Sequence, residues 1–167
     1  MPGKTLILNE LQIRQKINRM AYQIYEDNCF EQEIIIVGIA NNGYLLAQEM
    51  AKQLKKIADF KVTLSKLTID KDNPHSESGE ISIDTKQLED KVVILVDDVL
   101  NTGKALIYGV KFLLQFPVKK MSTAVLVDRN HKKYPIGTHY VGLALSTTLK
   151  NHISVEFGQQ TIEAYLS

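Results

Sequence analysis

The sequence predicts a single α/β domain, spanning residues 1–167, in which helices cover both faces of a central parallel sheet. Two observations lead to this fold class. Short apolar runs typical of buried strands alternate with longer segments whose apolar residues recur at helical spacing. The connections between consecutive strands are therefore long enough to contain helices, and such crossovers join parallel strands of one sheet.

The amino-terminal segment carries a clear helix start. Residues 4–8 form an extended lead-in, and Asn9 is a favourable N-cap residue. The apolar residues after it, from Leu11 to Ile24, fall on one face of a helix. We expect this helix to end near residues 27–28.

The rest of the chain divides by the same criteria. Asn41, Asn42 and Gly43 are predicted to form a turn, and Gly43 allows a positive φ there. Residues 71–79 form a long polar loop, and Pro117 ends a helix. The predicted strands are 34–39, 60–69, 92–96, 122–127, 139–145 and 153–157, and the predicted helices are 44–57 and 104–116.

Composition excludes several classes of protein. Hydrophobic content of 44% and charged content of 23% are ordinary for a globular protein. The net charge of +1 argues neither for nor against a nucleic-acid partner. Cys29 is the sole cysteine, which excludes an internal disulfide and a cysteine-based metal site. No apolar run approaches the ~20 residues of a membrane span or resembles a signal peptide, so we expect a cytoplasmic protein without a membrane partner.

Residues 92–106 carry the most informative motif. An apolar run ends in Asp97 and Asp98, a short loop with Thr102 and Gly103 follows, and a helical pattern then begins. Ligands of parallel α/β sheets bind at the carboxyl ends of strands, and free amides at a helix start suit a phosphate. Paired carboxylates suit sugar hydroxyls or a hydrated Mg²⁺. The motif therefore predicts a phosphoribosyl site, and because carboxylates at a strand end are ordinarily solvated, we expect their neutralisation to cost little stability.

This motif resembles the signature loop of the type I phosphoribosyltransferases. The resemblance implies that family's fold, a central parallel sheet flanked by helices with a small hood from the terminal segments. It also implies that Asp97 and Asp98, as the catalytic pair, hold the ribose hydroxyls of phosphoribosyl pyrophosphate (PRPP), and that the following loop binds its 5-phosphate. The residues expected to bind PRPP are Asp97, Asp98, Val99, Leu100, Asn101, Thr102, Gly103, Lys104 and Ala105.

Two further segments match regions that face the leaving group in this family. Ala40, Asn41, Asn42 and Gly43 stand where the family has its pyrophosphate loop, but the basic side chain that often precedes the glycine is missing. Lys71 lies in a long loop that the resemblance implies is flexible, and it could reach a pyrophosphate oxygen. A plain turn and a solvated loop tip are the alternative interpretations of the two segments.

Three further segments indicate which subfamily the chain resembles, namely residues 127–136, 140–142 and 7–14. They are similar to the pyrimidine operon attenuator proteins, a subfamily that also has uracil phosphoribosyltransferase activity. By this resemblance Asp128 and Arg129 are expected to bind the base. In purine enzymes a Lys lies near the position of Asp128, so a purine fits poorly.

Two positions in the signature loop depart from the family pattern. Asn101 stands where purine enzymes usually have Asp and where the attenuator subfamily has Tyr. Ala105 replaces a Thr whose hydroxyl helps to bind phosphate, a contact worth about 1 kcal/mol. These departures leave room for a changed or lost nucleobase specificity.

The resemblance implies transfer of a phosphoribosyl group from PRPP to a nucleobase, with uracil preferred, giving UMP and pyrophosphate, and a role in pyrimidine regulation. Mg²⁺ is the implied cofactor, held through substrate and water. A homodimer is expected. The resemblance leaves RNA open as a partner, but a solvated face explains basic side chains such as Arg14, Lys16 and Arg19 and is the favoured interpretation. Two alternatives stay open: a non-catalytic regulator that senses nucleotide or PRPP and binds RNA or protein, and a purine phosphoribosyltransferase.

Overall fold

The structure contains a six-stranded sheet with helices on both faces and a separate three-stranded sheet. The computed structural model describes residues 3–70, 73 and 79–167. Within them the strands are β1 (Thr5–Leu8), β2 (Glu33–Ile39), β3 (Lys61–Thr68), β4 (Glu80–Ile81), β5 (Val92–Leu100), β6 (Lys120–Asp128), β7 (Tyr140–Ala144), β8 (Ile153–Phe157) and β9 (Ile162–Leu166). The helices are α1 (Glu10–Asn28), α2 (Asn42–Ile57) and α3 (Lys104–Leu113), with a short 3-10 helix at Thr85–Leu88.

The central sheet has the strand order β4-β3-β2-β5-β6-β7. Strands β3, β2, β5, β6 and β7 run parallel, and the two-residue strand β4 pairs antiparallel with β3 at one edge. The predicted α/β fold with a central parallel sheet is therefore confirmed.

Alternate residues of the central strands face two different hydrophobic cores. Ile34 and Ile36 of β2 belong to a core that includes the buried faces of α1 and α2. Ile35 and Val37 belong to a second core with Leu106 and other residues of α3. This alternation follows from the two-residue period of a strand, and it places helices on both sheet faces, as the sequence predicted.

The direction of the chain across the sheet reverses between β2 and β5. The unit β2-α2-β3 moves toward one edge of the sheet, and the unit β5-α3-β6 moves toward the other. Because α2 and α3 pack on opposite faces, the starts of the two helices leave a crevice outside the carboxyl ends of β2 and β5. Ligands of open α/β sheets bind at such a reversal.

The chain termini form the hood that the resemblance implied. Strands β1, β9 and β8 make an antiparallel sheet in the order β1-β9-β8. Strand β9 was not predicted, because it is short and its buried side chains are limited to Ile162 and Ala164. Its pairing with β1 joins opposite ends of the chain, a contact that no local pattern reveals.

Three predicted boundaries are corrected by the structure. Strand β5 does not end at residue 96 but continues to Leu100, because Val99 and Leu100 pair with the end of β6. Helix α2 begins at Asn42, so Asn42 and Gly43 are helical and do not form a turn. Helix α3 ends at Leu113, and the residues after it close a tighter turn through the bonds Gln115 N to Phe112 O and Phe116 N to Leu113 O.

Helix α1 offers a test of its predicted start. The Asn9 side chain accepts from Gln12 N at 2.9 Å, and the Gln12 side chain accepts from Asn9 N at 2.9 Å. Asn9→Ala removes one half of this capping box and should lower the free energy of unfolding by about 1 kcal/mol, measured by urea denaturation. Asn18→Ala, at an exposed position of the same helix, should cost nothing. Equal losses in both variants would contradict the capping role.

Candidate active site

All nine residues predicted to bind PRPP lie around one cavity at the carboxyl end of β5. The cavity has a volume of about 250 Å³. Residues 97–105 line it together with Ile69, Leu106, Tyr108 and Val125. Val99 and Leu100 are nearly buried in the two hydrophobic cores, so at these positions the backbone, rather than the side chain, is available to a ligand.

The acidic pair is less solvated than its place in the sequence suggested. Asp97 is only 7% exposed, and its Oδ1 accepts from Asp98 N at 2.9 Å. Asp98 is partly buried, and its Oδ2 accepts from Asn42 Nδ2 at 3.1 Å. The premise that both carboxylates are solvated is therefore wrong for Asp97. We expect neutralisation of Asp97 to weaken a charge-assisted hydrogen bond and to lower stability.

The predicted pyrophosphate loop is the start of helix α2. The first backbone bond of this helix runs from Leu45 N to Asn41 O, so the amides of Asn42, Gly43 and Tyr44 have no acceptor within the helix. Asn41 makes no side-chain capping bond, and the Ala40–Asn41 peptide bond is cis. These amides, at the positive end of a helix dipole, suit an anion.

Position 43 requires glycine because the backbone there lies very close to the end of β5, and not because the backbone is left-handed. Gly43 does not adopt the positive φ that a glycine allows. A Cβ at this position would lie 2.7 Å from Val96 O and 2.9 Å from Asp97 Oδ1. Only a residue without a side chain allows the start of α2 to contact the acidic end of β5 this closely.

The predicted 5-phosphate loop ends in a left-handed glycine. Gly103 has φ 88°, and α3 begins at the next residue. Lys104 N donates to Thr102 Oγ1 at 3.3 Å, and the first backbone bond of the helix runs from Ile107 N to Gly103 O. The amides of Ala105 and Leu106 therefore have no acceptor within the helix, which suits the phosphate that the sequence predicted here.

Residues 129–137 hold this loop in shape from the outside. Lys133 N and Tyr134 N both donate to Thr102 O, at 2.8 and 3.1 Å. The carbonyl and amide of a trans peptide point in opposite directions, so the amide of Gly103 points away from this segment. A Cβ on Gly103 would lie 2.5 Å from Ile136 Cγ2, so the segment also packs directly on the glycine.

The two residues expected to bind the base lie at the end of β6. Asp128 is buried, and its Oδ1 accepts from Asn130 N at 2.8 Å. Arg129 is 8% exposed, and four hydrogen bonds join its guanidinium to protein acceptors. These acceptors are Asn101 Oδ1 at 2.8 Å, Thr147 Oγ1 at 3.0 Å, Thr148 O at 3.3 Å and Asn151 O at 2.5 Å.

Arg129 therefore joins the signature loop to the segment that leads into the hood. A guanidinium has five N–H donors, so at most one is left for a ligand in this arrangement. Direct contact between Arg129 and a base stays a prediction, while its hold on residues 147–151 is present in the structure.

The family described as "Phosphoribosyl transferase domain" matches residues 5–160. The chain belongs to the phosphoribosyltransferase family. The bifunctional protein PyrR of Enterococcus faecalis is 33% identical over 96% of this chain and 93% of its own length, and that of Bacillus subtilis is 31% identical over 95% and 93%. The predicted resemblance to the family and to its attenuator subfamily is confirmed.

Solved structures support the same fold. The hypoxanthine phosphoribosyltransferase of Trypanosoma cruzi superimposes with a TM-score of 0.75 at 15% identity, covering 97% of this chain and 96% of that one. The hypoxanthine-guanine phosphoribosyltransferase of Bacillus anthracis gives a TM-score of 0.74 at 18% identity, covering 98% and 99%. At these identities the likeness shows a type I phosphoribosyltransferase fold and says nothing about the base.

Several functional contacts of this phosphoribosyltransferase were not predicted from the sequence. The bond from Asn42 to Asp98, the bond from Arg129 to Asn101 and the support of Thr102 by residues 133–134 each join segments far apart in the chain. The mismatch of Asn42 and Asn101 with the family pattern was the signal that marked these positions. Lys71, assigned to the flexible loop, lies outside the described residues.

Two of the three basic side chains of α1, Arg14 and Arg19, contact other parts of the chain. Arg14 pairs with Glu10 and with Glu49 of α2. Arg19 donates to Val141 O at 3.0 Å and to Gly142 O at 2.8 Å, on β7 at the edge of the central sheet. A solvated face alone does not describe these residues, since they tie α1 to its neighbours.

Membrane-spanning helices and clusters of metal ligands are both absent from the described part of the chain. None of its helices is long and apolar enough to span a membrane. It also contains no group of three or more His, Cys, Asp or Glu side chains arranged to hold a metal ion.

Replacing Arg129 tests whether the four hydrogen bonds of this buried side chain stabilise the fold more than those of an exposed arginine do. Arg129→Lys keeps the charge but cannot reach all four acceptors, so the free energy of unfolding should fall by about 2 kcal/mol. Amide hydrogen exchange of residues 147–151 should accelerate at the same time. Arg19→Lys, at an exposed arginine that donates to only two carbonyls, should cost less than about 1 kcal/mol. Similar losses of unfolding free energy in the two variants would contradict a special stabilising role for Arg129.

Proposed function

We propose that this chain transfers a phosphoribosyl group from PRPP to uracil, producing UMP and pyrophosphate. The observation that carries the proposal is the cavity at the carboxyl end of β5, which the acidic pair and the left-handed glycine loop line together. The similarity to proteins named bifunctional protein PyrR, over nearly the whole chain, supports uracil as the base.

The proposed roles follow from the position of each group. Asp98, with Asp97 behind it, accepts the ribose hydroxyls. The amides from Asn101 to Ala105 surround the 5-phosphate, and the amides of residues 41–43 face the pyrophosphate. Lys71 is proposed to approach the leaving group from the flexible loop.

The proposed reaction exchanges one bond at the anomeric carbon. The bond from C1 of the ribose to the pyrophosphate oxygen breaks, a bond to N1 of uracil forms, and the N1 proton leaves to solvent. Charge develops on the ribose ring and on the leaving group, so this chain acts by fixing the reactants and by placing carboxylates and amides beside that charge. The oxygen donors of Asp97 and Asp98 fit a hydrated Mg²⁺, which when bound to the diphosphate would neutralise the leaving group.

Base selection is proposed to depend on the end of β6. The Asp128 carboxylate is an acceptor, so it suits an N–H of uracil better than the 6-oxygen of a purine. Asn101, held by Arg129 at 2.8 Å, lacks the carboxylate that purine enzymes usually place near the base. Both features disfavour the purine alternative.

A second candidate is a regulator that binds nucleotide without catalysis. It is favoured by the absence of a basic side chain at residues 41–43 and of a hydroxyl at Ala105. A regulatory role alongside catalysis is also proposed, with RNA as the partner, a cytoplasmic location and a homodimer as the acting form.

A panel of bases tests the proposed substrate. With PRPP and Mg²⁺ held constant, pyrophosphate release should be fastest with uracil, and hypoxanthine and guanine should be slower by up to roughly 10⁴-fold, because a wrong base leaves buried polar groups unpaired. Faster release with either purine would refute the uracil assignment. No release with any of the three, together with tight UMP binding, would favour the regulator.

Asp98→Asn tests the proposed ribose contact while leaving the buried Asp97 unchanged. Removing the charged acceptor should weaken UMP binding, measured by calorimetry, by at least roughly tenfold, as expected for a hydrogen bond to a charged group. Asp59→Asn makes the same change at an exposed site before β3 and should leave affinity unchanged. Unchanged UMP affinity in Asp98→Asn would remove Asp98 from the site.

A further inference from the structure

One side chain connects the start of α2, the acidic pair and the hood. Asn42 Nδ2 lies 3.1 Å from Asp98 Oδ2 and 3.0 Å from the backbone oxygen of Val155. Asn42 is the first residue of α2, Asp98 is in β5, and Val155 is in the middle of β8. These two bonds therefore join three elements that lie far apart in the sequence.

The partners fix the orientation of the Asn42 amide. A carboxylate oxygen and a carbonyl oxygen both accept hydrogen bonds, so the nitrogen of the amide, and not its oxygen, must face them. Both N–H groups of Asn42 are donated within the protein. One oxygen of Asp98 is thereby held, and the other, Oδ1, is left in a fixed direction for a ribose hydroxyl.

The bond to Val155 reaches the outer edge of the hood sheet. Strand β8 lies at one edge of the order β1-β9-β8, and its residue Val155 pairs with Ala164 on the inner side. Val155 is buried, at 3% exposure. The Asn42 amide thus satisfies a carbonyl on the side of β8 that faces the central sheet, and it ties the hood to the acidic pair.

We propose that Asn42 is a positioning residue that orients Asp98 for the ribose hydroxyls and couples the hood to ribose binding. It acts through Asp98 and does not contact the reacting atoms. A neutral amide orients the carboxylate while leaving its negative charge for the ribose hydroxyls, whereas a cation at this position would neutralise that charge. This inference rests on the proposed function for the role of Asp98.

Two substitutions at Asn42 separate the effect of losing its hydrogen-bond donor from the effect of repulsion between two carboxylates. Asn42→Ala removes both bonds. Asn42→Asp keeps the shape but places a carboxylate against Asp98 Oδ2 and Val155 O. Asn18→Asp makes the same chemical change at an exposed position of α1 and serves as the control. Urea denaturation identifies variants that remain folded, and Asn42→Ala keeps the test available if Asn42→Asp does not fold.

The decisive comparison uses ligands with and without ribose hydroxyls. Calorimetry should give a tenfold or greater loss of UMP affinity in Asn42→Asp and a smaller loss in Asn42→Ala. Affinity for 2′,3′-dideoxyuridine monophosphate, which lacks the hydroxyls that Asp98 would hold, should change less than twofold in both variants. Hydrogen exchange of residues 153–157 should accelerate in both, and Asn18→Asp should match the unmodified protein throughout.

Three outcomes have distinct meanings. Unchanged UMP affinity in both Asn42 variants would overturn the proposal. Equal losses for UMP and for the dideoxy nucleotide would also overturn it, because a merely structural role weakens both ligands alike. If the unmodified protein binds neither UMP nor PRPP, the proposed function is refuted instead. In that case, unchanged hydrogen exchange of residues 153–157 in both Asn42 variants would still contradict the proposed coupling between Asn42 and the hood.

Discussion

The site depends on the reversal of chain direction between β2 and β5. Because α2 and α3 leave these adjacent strands toward opposite faces of the sheet, their amino-terminal ends converge on one crevice. The close contact between Gly43 and the end of β5 is possible only at this reversal, and it brings the acidic pair beside the start of α2. The start of α2 thus lies beside the acidic pair, which lines the cavity together with the loop before α3. Free amides and carboxylates, which suit opposite charges, therefore lie close to one another.

The ligand loops are shaped by segments that do not themselves line the cavity. The carbonyl of Thr102 is held by two amides from residues 133–134, and Ile136 packs on Gly103. Arg129 adds a buried connection from Asn101 to residues 147–151. A loop held from outside in this way has fewer conformations to lose, so less ordering free energy would be lost if the proposed phosphate binds.

The departures from the family pattern fall where the structure supplies local partners. Asn42 and Asn101 replace residue types common in relatives, and the side chains of both are used by neighbours, Asn42 by Asp98 and Val155 and Asn101 by Arg129. Both side chains are therefore held in place by hydrogen bonds within the protein. Nothing in the structure explains Ala105.

The sequence by itself determined the α/β class, the order of most elements, the capped start of α1 and the motif at residues 97–105, because each depends on local periodicity, capping or spacing. It placed the end of β5 too early, since the pairing of Val99 and Leu100 with β6 is a property of the sheet. Strand β9, the burial of Asp97 and the bond from Asn42 to the hood were decided only by the tertiary structure. Each of these arises from contacts between residues distant in the chain, which local patterns do not encode.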